Sequence, residues 1–170
     1  MMRLLKSAWI DTPLGPMLAI SDEDALHLLE FTGRKGLKRE IEKLKERTGA
    51  AICPGHAKPL SQIDKELQQY FAERLEIFET PIKMLGTPFQ KQVWRQLQNI
   101  PYGKTCSYRE LAHAIGRPNA YRAVAGANGA NQLALIIPCH RVINADGGIG
   151  GYGGGIAKKQ WLLRYEKGRF

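Results

Sequence analysis

The texture of the chain changes once, between about residues 76 and 86, and that break limits what it can fold into more than any other feature. Before it, short apolar stretches alternate with turn clusters; after it, apolar residues recur at helical spacing in a background rich in Gly and Ala. Two small units are expected: a mixed, strand-rich N-terminal domain with helices over residues 1–80 and a mostly helical C-terminal domain over residues 86–170, together an α/β (α+β) protein. A chain of 170 residues buries roughly 70% of its extended surface on folding, so neither a metal nor a disulfide is needed to hold it.

In the first unit, apolar stretches near Leu4 to Ile10, Met17 to Ile20 and Leu26 to Phe31 are separated by Thr12-Pro13-Leu14-Gly15-Pro16 and Ser21-Asp22-Glu23-Asp24. These read as short strands joined by turns. A charged helical pattern follows, with Leu37, Ile41 and Leu44 as a narrow apolar stripe and Thr48-Gly49 as its end. A second helix is expected to start at Ser61, carry Ile63, Leu67, Tyr70, Phe71 and Leu75, and stop before Pro81.

The second unit opens on Thr87-Pro88-Phe89-Gln90, a capping Thr followed by Pro at the first helical position, after which Phe89, Val93, Trp94, Leu97 and Ile100 recur at helical spacing. Ser107-Tyr108-Arg109-Glu110 has capping-box spacing and starts a short helix that Gly116 closes. Arg117-Pro118-Asn119 leads into another helix, Ala120 to Asn128, and two short helices around a Gly-containing turn suggest a helix-turn-helix. One face of its second helix carries Asn119, Arg122, Ala123 and Gly126. Periodicity alone favours tight packing of that small-residue face against a neighbouring helix; the sharper alternative is a helix pressed into a nucleic-acid groove, with Arg122 as its one long side chain.

No apolar run reaches the ~18 residues of a membrane span, and the first residues hold too short an apolar stretch for a signal peptide, so a soluble cytoplasmic protein is expected. Lys and Arg number 25 against 16 Asp and Glu, a net charge of +9, which makes polyanions plausible partners without deciding the matter. Cys53, Cys106 and Cys139 are an odd, widely spaced set, better read as reduced thiols than as a disulfide framework.

Cys139 carries the chemical question. Leu133-Ala134-Leu135-Ile136-Ile137 has the look of a buried strand and delivers the chain to Pro138-Cys139-His140-Arg141-Val142. A buried thiol next to a core histidine is the ordinary reading. The reactive reading needs a thiolate, and an ordinary thiol is only about 3% ionised at pH 7. Adjacent side chains diverge in regular structure, so a water is the simpler link between Cys139 and His140. Downstream, seven of the nine residues from Gly147 to Gly155 are Gly, around Ile149 and Tyr152. The spacing fits neither a dinucleotide loop nor a P-loop, leaving a surface loop or a wall of backbone groups for a flat ligand, with Tyr152 in contact. The last helix, Ile156 to Glu166, places a carboxylate where the helix dipole disfavours it, and such a group should have a partner.

Pro138-Cys139-His140-Arg141-Val142, the Arg122-Ala123-Val124 helix, Asn131, and Tyr152 followed by glycines and Lys159-Gln160-Trp161-Leu162-Leu163 together resemble the O6-alkylguanine-DNA alkyltransferase family, from about Gly86 to Glu166. The resemblance implies repair of double-stranded DNA bearing O6-alkylguanine, with O4-alkylthymine as a second substrate, by irreversible single-turnover transfer of the alkyl group to Cys139 after nucleotide flipping. It implies that His140 acts as base through a water, that Glu166 orients the imidazole, and that Asn131 braces the segment between recognition helix and active site. Tyr108 would contact the flipped base or protonate it at N3, and Arg122 would fill the vacated place in the stack, on a helix face with Asn119, Ala123 and Gly126. Val142, Tyr152, Gly153 and Gly154 would line the base pocket. A monomer is expected, with cooperativity along DNA left open.

Gly153 stands where some members of that family carry a hydroxyl residue, which speaks against a side-chain hydrogen bond to the base there, and Ala134 stands where others carry proline, which leaves the acceptance of bulky adducts open. Cys53-Pro54-Gly55-His56 offers two metal ligands, but His27 is the only other His in that half, so neither a metal nor a cofactor is expected. Cys106 reads as an unreactive bystander. Two rivals remain: a non-catalytic lesion-binding protein, against which Cys139 itself speaks, and a cysteine hydrolase, which would turn over.

Overall fold

A computed structural model of the chain describes residues 3–168. Two compact units divide between Leu85 and Gly86. The first is built on a four-stranded sheet of β1 (Arg3–Ile10), β2 (Met17–Ser21), β3 (Leu26–Phe31) and β4 (Ala50–Pro54), in the order β3-β2-β1-β4. β1 to β3 form an antiparallel meander, turned between β1 and β2 by Gly15 at φ +103, a conformation that favours glycine. β4 pairs parallel to β1 after the crossover helix α1 (Leu37–Thr48), which the left-handed Gly49 ends. That fourth strand has no sequence signal comparable to the others, because Ala50-Ala51-Ile52-Cys53-Pro54 is short, weakly alternating and closed by a proline that only an edge strand tolerates.

Leu5, Leu18, Ile20, Leu28, Leu44 and Ala50 form a buried cluster, against which the α1 stripe residues Leu37 and Ile41 pack. α2 (Lys58–Phe71) lies along β1 and β2 with Leu60, Ile63, Leu67 and Tyr70 buried. It starts three residues before the expected Ser61, since Pro59 sits in its first turn, where the missing N–H costs nothing. Beyond α2, the buried Glu66 carboxylate accepts the backbone N–H groups of Glu79 and Thr80 at 2.9 Å each, and Pro81 to Lys83 then run beside Leu26. The segment just past residue 80 is therefore part of the first unit.

In the second unit, α3 (Pro88–Leu97), α4 (Tyr108–Ala114) and α5 (Tyr121–Gly129) pack on one another. Thr87 and Gln90 complete a reciprocal capping box at the start of α3, and the Ser107 side chain accepts from Glu110 N to cap α4. Gly116, at φ +76, ends α4. Trp94 of α3 donates its indole N–H to the Ala127 carbonyl of α5 at 2.8 Å, which fixes these two helices against each other. Two short parallel strands, β5 (Cys106–Ser107) and β6 (Val142–Ile143), and α6 (Ile156–Glu166) complete the unit.

Other expectations are also corrected: α2 ends at Phe71, short of the expected Leu75. The run Leu133 to Ile137 is buried but is not a strand: it folds into a tight turn, with Ile137 N bonded to Leu133 O at 3.0 Å and Leu135 at φ +72. An apolar run reads the same in a buried turn as in a buried strand. Nor is the small-residue face of α5 packed against a helix. Asn119, Arg122, Ala123 and Gly126 are all exposed, and a Cβ added at Gly126 would meet no atom within 4 Å. Val124, Ala127 and Asn128 are the residues α5 buries.

Candidate active site

The turn after α5 aims the chain at Cys139. Asn131 holds it from inside, donating Nδ2 to the Ile137 carbonyl and accepting Leu133 N–H at Oδ1, both at 2.9 Å. Those two bonds span the positive-φ Leu135, whose strain needs such a clamp. Cys139 N–H then bonds Ile137 O at 2.8 Å, and a single 3-10 turn, Cys139–Arg141, presents three consecutive side chains in different directions. Cys139 is 6% exposed and makes no disulfide. Asn128 reaches its carbonyl from α5 at 3.4 Å, a long contact.

His140 is fully buried. Its Nε2 lies 2.9 Å from Glu166 Oε2, while Nδ1 is buried with no protein hydrogen-bond partner. The carboxylate at the end of α6 thus has a partner, as the dipole argument requires, and in fact two. Arg141 grips both oxygens, Nε to Oε1 at 2.8 Å and an Nη to Oε2 at 3.0 Å, and places its other Nη on the Ile100 carbonyl at 2.7 Å. Burial alone would push the Glu166 carboxyl up, but bonds and charge from His140 and Arg141 outweigh it and hold the group well below the usual carboxylate range. His140 is held below its ordinary value: burial is the largest cause, Glu166 opposes, and the charges of Arg141 and Lys159 add to it.

Lys159, also fully buried, donates to the Val142 carbonyl at 2.6 Å and the Gly151 carbonyl at 3.0 Å. It ties the glycine-rich loop to the strand that leaves the cysteine turn. Burial lowers its ammonium to about 8, against which a charge on Cys139 acts in the opposite direction. Tyr108, at the start of α4, is half-buried; burial first, and then charge on Cys139, raise its phenol, while Asn128 opposes. Its hydroxyl lies so close to Gly150 that a Cβ there would sit 3.2 Å from it, and Gly150 is at φ +72, so this loop position accepts little but glycine.

Cys139, His140, Glu166, Asn131, Tyr108 and Val142 therefore converge. Tyr152, half-buried, and Gly153 and Gly154 lie in the irregular segment just before α6, where Gly155 N bonds Tyr152 O at 3.0 Å. Asn119, Arg122, Ala123 and Gly126 form a separate exposed face, beside which the Tyr121 ring has the guanidinium carbons of Arg109 and Arg122 at 5.2 and 5.9 Å. Arg141 and Lys159 carry no role in the sequence reading, yet Lys159 shares an i, i+3, i+7 stripe with Leu162 and Glu166, a signal that this lysine points inward. The other thiols are unlike Cys139. Burial and Glu110 push Cys106 up to about 11, and Cys53 lies in the first unit with Lys6 Nζ 3.6 Å from its sulfur. Among the described residues no group of three or more His, Cys, Asp or Glu is placed to hold a metal ion.

Charge is distributed as unevenly as chemistry. Residues 1–85 hold 13 Lys and Arg and 13 Asp and Glu, whereas residues 86–170 hold 12 against 3, so the whole excess of +9 lies in the second half.

Two family models match the chain: the ribonuclease-like domain of 6-O-methylguanine DNA methyltransferase over residues 5–84, and the DNA binding domain of the same family over residues 88–168. A methylated-DNA–protein-cysteine methyltransferase of Mycolicibacterium paratuberculosis is 52% identical over 158 residues, covering 93% of this chain and 90% of its own. One of the same description from Shigella flexneri is 42% identical over 173 residues, covering 98% and 97%. Among solved structures, the Mycobacterium tuberculosis OGT in complex with DNA has a TM-score of 0.82 at 41% identity, covering 98% of this chain and 94% of that one.

Proposed function

This chain belongs to the 6-O-methylguanine DNA methyltransferase family, and on that premise we propose that it repairs duplex DNA by moving the alkyl group of O6-alkylguanine, and of O4-alkylthymine, irreversibly onto Cys139. The observation that carries the reading is the thiol of Cys139 in a one-turn element beside the buried His140–Glu166 pair. In the reaction, the Cys139 proton passes through a water to His140, and the sulfur attacks the alkyl carbon in line. The C–S bond forms as the C–O6 bond breaks, the electron pair stays on the purine, and Tyr108 supplies the proton that N3 takes up. Glu166 holds the imidazole in orientation and Asn131 holds the turn. The product is a thioether, and no second cysteine is placed to displace it, so each molecule acts once.

An alkyl carbon inside the duplex stack is out of reach of a sulfur that is 6% exposed, so the nucleotide must swing out, at a few kcal/mol of unstacking. α4 and α5 act as the helix-turn-helix, with the exposed face of Asn119, Arg122, Ala123 and Gly126 against the groove and Arg122 in the space left by the base. The positive second half supplies the phosphate contacts. Val142, Tyr152, Gly153 and Gly154 line the pocket for the extruded base. We read the protein as a cytoplasmic monomer.

The test is incubation with duplex DNA carrying a labelled methyl lesion, followed by peptide mapping. Label is expected on Cys139 alone, at one methyl per protein, and Cys139→Ser should bind DNA without accepting it. Label on Cys53 or Cys106, or free methanol released with turnover, would falsify the assignment and favour the hydrolase.

A further inference from the structure

Glu166 is shared between His140 and Arg141, and the sharing has a chemical consequence. A carboxylate that takes two N–H groups from one guanidinium, at 2.8 and 3.0 Å, is held as an anion and can only accept. The imidazole nitrogen 2.9 Å from it must then be the one that carries hydrogen, so Nε2 is the N–H of His140. In a neutral ring this leaves the lone pair on Nδ1, the buried nitrogen that no protein group satisfies. Protonating Nδ1 would put a positive charge on a ring already facing the cations of Arg141 and, from α6, Lys159, with Glu166 as the one anion facing it among the described residues.

We propose that Arg141 is a positioning residue for alkyl transfer: by occupying both oxygens of Glu166, it fixes His140 in the neutral Nε2–H form, so that Nδ1 is open to receive the Cys139 proton. The inference rests on the proposed acceptor role of Cys139 and adds the residue that sets the starting position of the protons. Without Arg141 the site gains two alternatives that both close Nδ1. Glu166 either keeps its charge and draws a second proton onto the ring, or takes a proton itself, donates to Nε2 and turns the ring into the Nδ1–H tautomer. In either case the base is spent before the thiol can use it.

The experiment is a 15N spectrum of histidine-labelled full-length protein, with the His140 signals assigned by their loss in His140→Gln. Native protein at pH 7 should show the high-frequency resonance of an unprotonated Nδ1 and a protonated Nε2; a protonated Nδ1 overturns the proposal without recourse to any variant. Arg141→Gln, or Arg141→Met, should move Nδ1 to the protonated position and slow methyl transfer from the free modified base by about a hundredfold, at the low end of what general-base catalysis contributes. Arg141→Lys, which keeps a cation beside Glu166, should retain the native Nδ1 signal. A folded Arg141→Gln protein whose Nδ1 remains unprotonated, or whose transfer rate is native, means that Arg141 is only a strut. These spectra are read without any transfer, so a failed label-mapping experiment on Cys139 and a failed proton assignment on His140 remain separate results.

Discussion

Lys159 and Val142 are joined by a buried hydrogen bond of 2.6 Å, from an ammonium to a backbone carbonyl, and the same ammonium reaches Gly151 at 3.0 Å. One side chain thus holds together two backbone segments, the exit of the cysteine turn and the glycine-rich loop, which on the proposed reading line the pocket for the base. Its charge also favours the thiolate of Cys139, because burial leaves little water to screen it. Lys159→Met should therefore lower transfer to Cys139 on both duplex and free-base substrates while leaving the salt dependence of DNA binding unchanged. Single-turnover rates with the two substrates decide it; a loss confined to duplex would place Lys159 in DNA contact instead.

Arg122 should behave in the opposite way. As an exposed side chain on α5 with no part in the buried site, it should matter for duplex and hardly at all for the free modified base. Binding through phosphates should fall with salt at a slope of about −0.9 per contact, and Arg122→Ala should lower the repair rate on duplex while leaving that slope nearly unchanged, since a side chain in the stack releases few counterions. Equal loss on both substrates would argue against Arg122 filling the space left by the base.

The pH dependence of stability follows from Glu166. Its folded carboxyl lies below the ordinary value, so it contributes stability that is fully present above about pH 4.3 and is lost as the pH falls below that, when the unfolded chain takes up the proton first. Glu166→Gln should flatten this acid limb. It should also cost about 3–5 kcal/mol at neutral pH, because Arg141 is left as a buried charge without its partner. Urea denaturation of both proteins between pH 3 and 7 measures both effects; an acid limb equally steep in the variant would place the titration elsewhere.

Much of this architecture was legible because it is local. Thr87 with Gln90, Ser107 with Glu110 and Gly116 are signals read within four residues, and each ends or starts a helix as expected. The Cys139–His140 pair and the need of Glu166 for a partner were legible too, but the partner's identity was not, since 26 residues separate Glu166 from His140 and no periodicity links them. Arg141 lay in plain view between Cys139 and Val142 without a role, because its role is to hold a residue of another helix. Leu133 to Ile137 resembles a strand in sequence for a physical reason: burial demands apolar residues whether the backbone is extended or turned, and only Asn131, with its two bonds to the turn, distinguishes the cases.

Asn131→Ala checks that distinction. It leaves Leu133 N–H and the Ile137 carbonyl buried without their side-chain partner, at about 1–3 kcal/mol for each group left unsatisfied. At roughly 2–4 °C per kcal/mol for a chain of this size, the midpoint of a thermal melt should fall by several degrees. Transfer to Cys139 should slow on both substrates as the turn loosens. A native melt would mean that the positive-φ turn at Leu135 stands without the clamp.

Alkylation itself should destabilise the protein. Cys139 is 6% exposed, in a turn fixed by Asn131 on one side and followed directly by buried His140 and Arg141, so a methyl group on its sulfur enters space that is already bounded. Overpacking by one carbon costs about 1–3 kcal/mol, and the proposed hydrogen bond of the Cys139 thiol through water to His140 is lost with the thiol's proton, at about another 0.5–1.5 kcal/mol. The cation of Lys159 is then left facing a neutral thioether. A drop of several degrees in the melting midpoint is expected, with the amides from Asn131 to Val142 losing hydrogen-exchange protection first, because the turn that bears the modified residue is where the strain enters. The comparison is between unmodified and fully methylated protein in one buffer after removal of DNA. An unchanged or raised midpoint in the methylated form means that the pocket has spare volume for the methyl and that the strain argument is wrong.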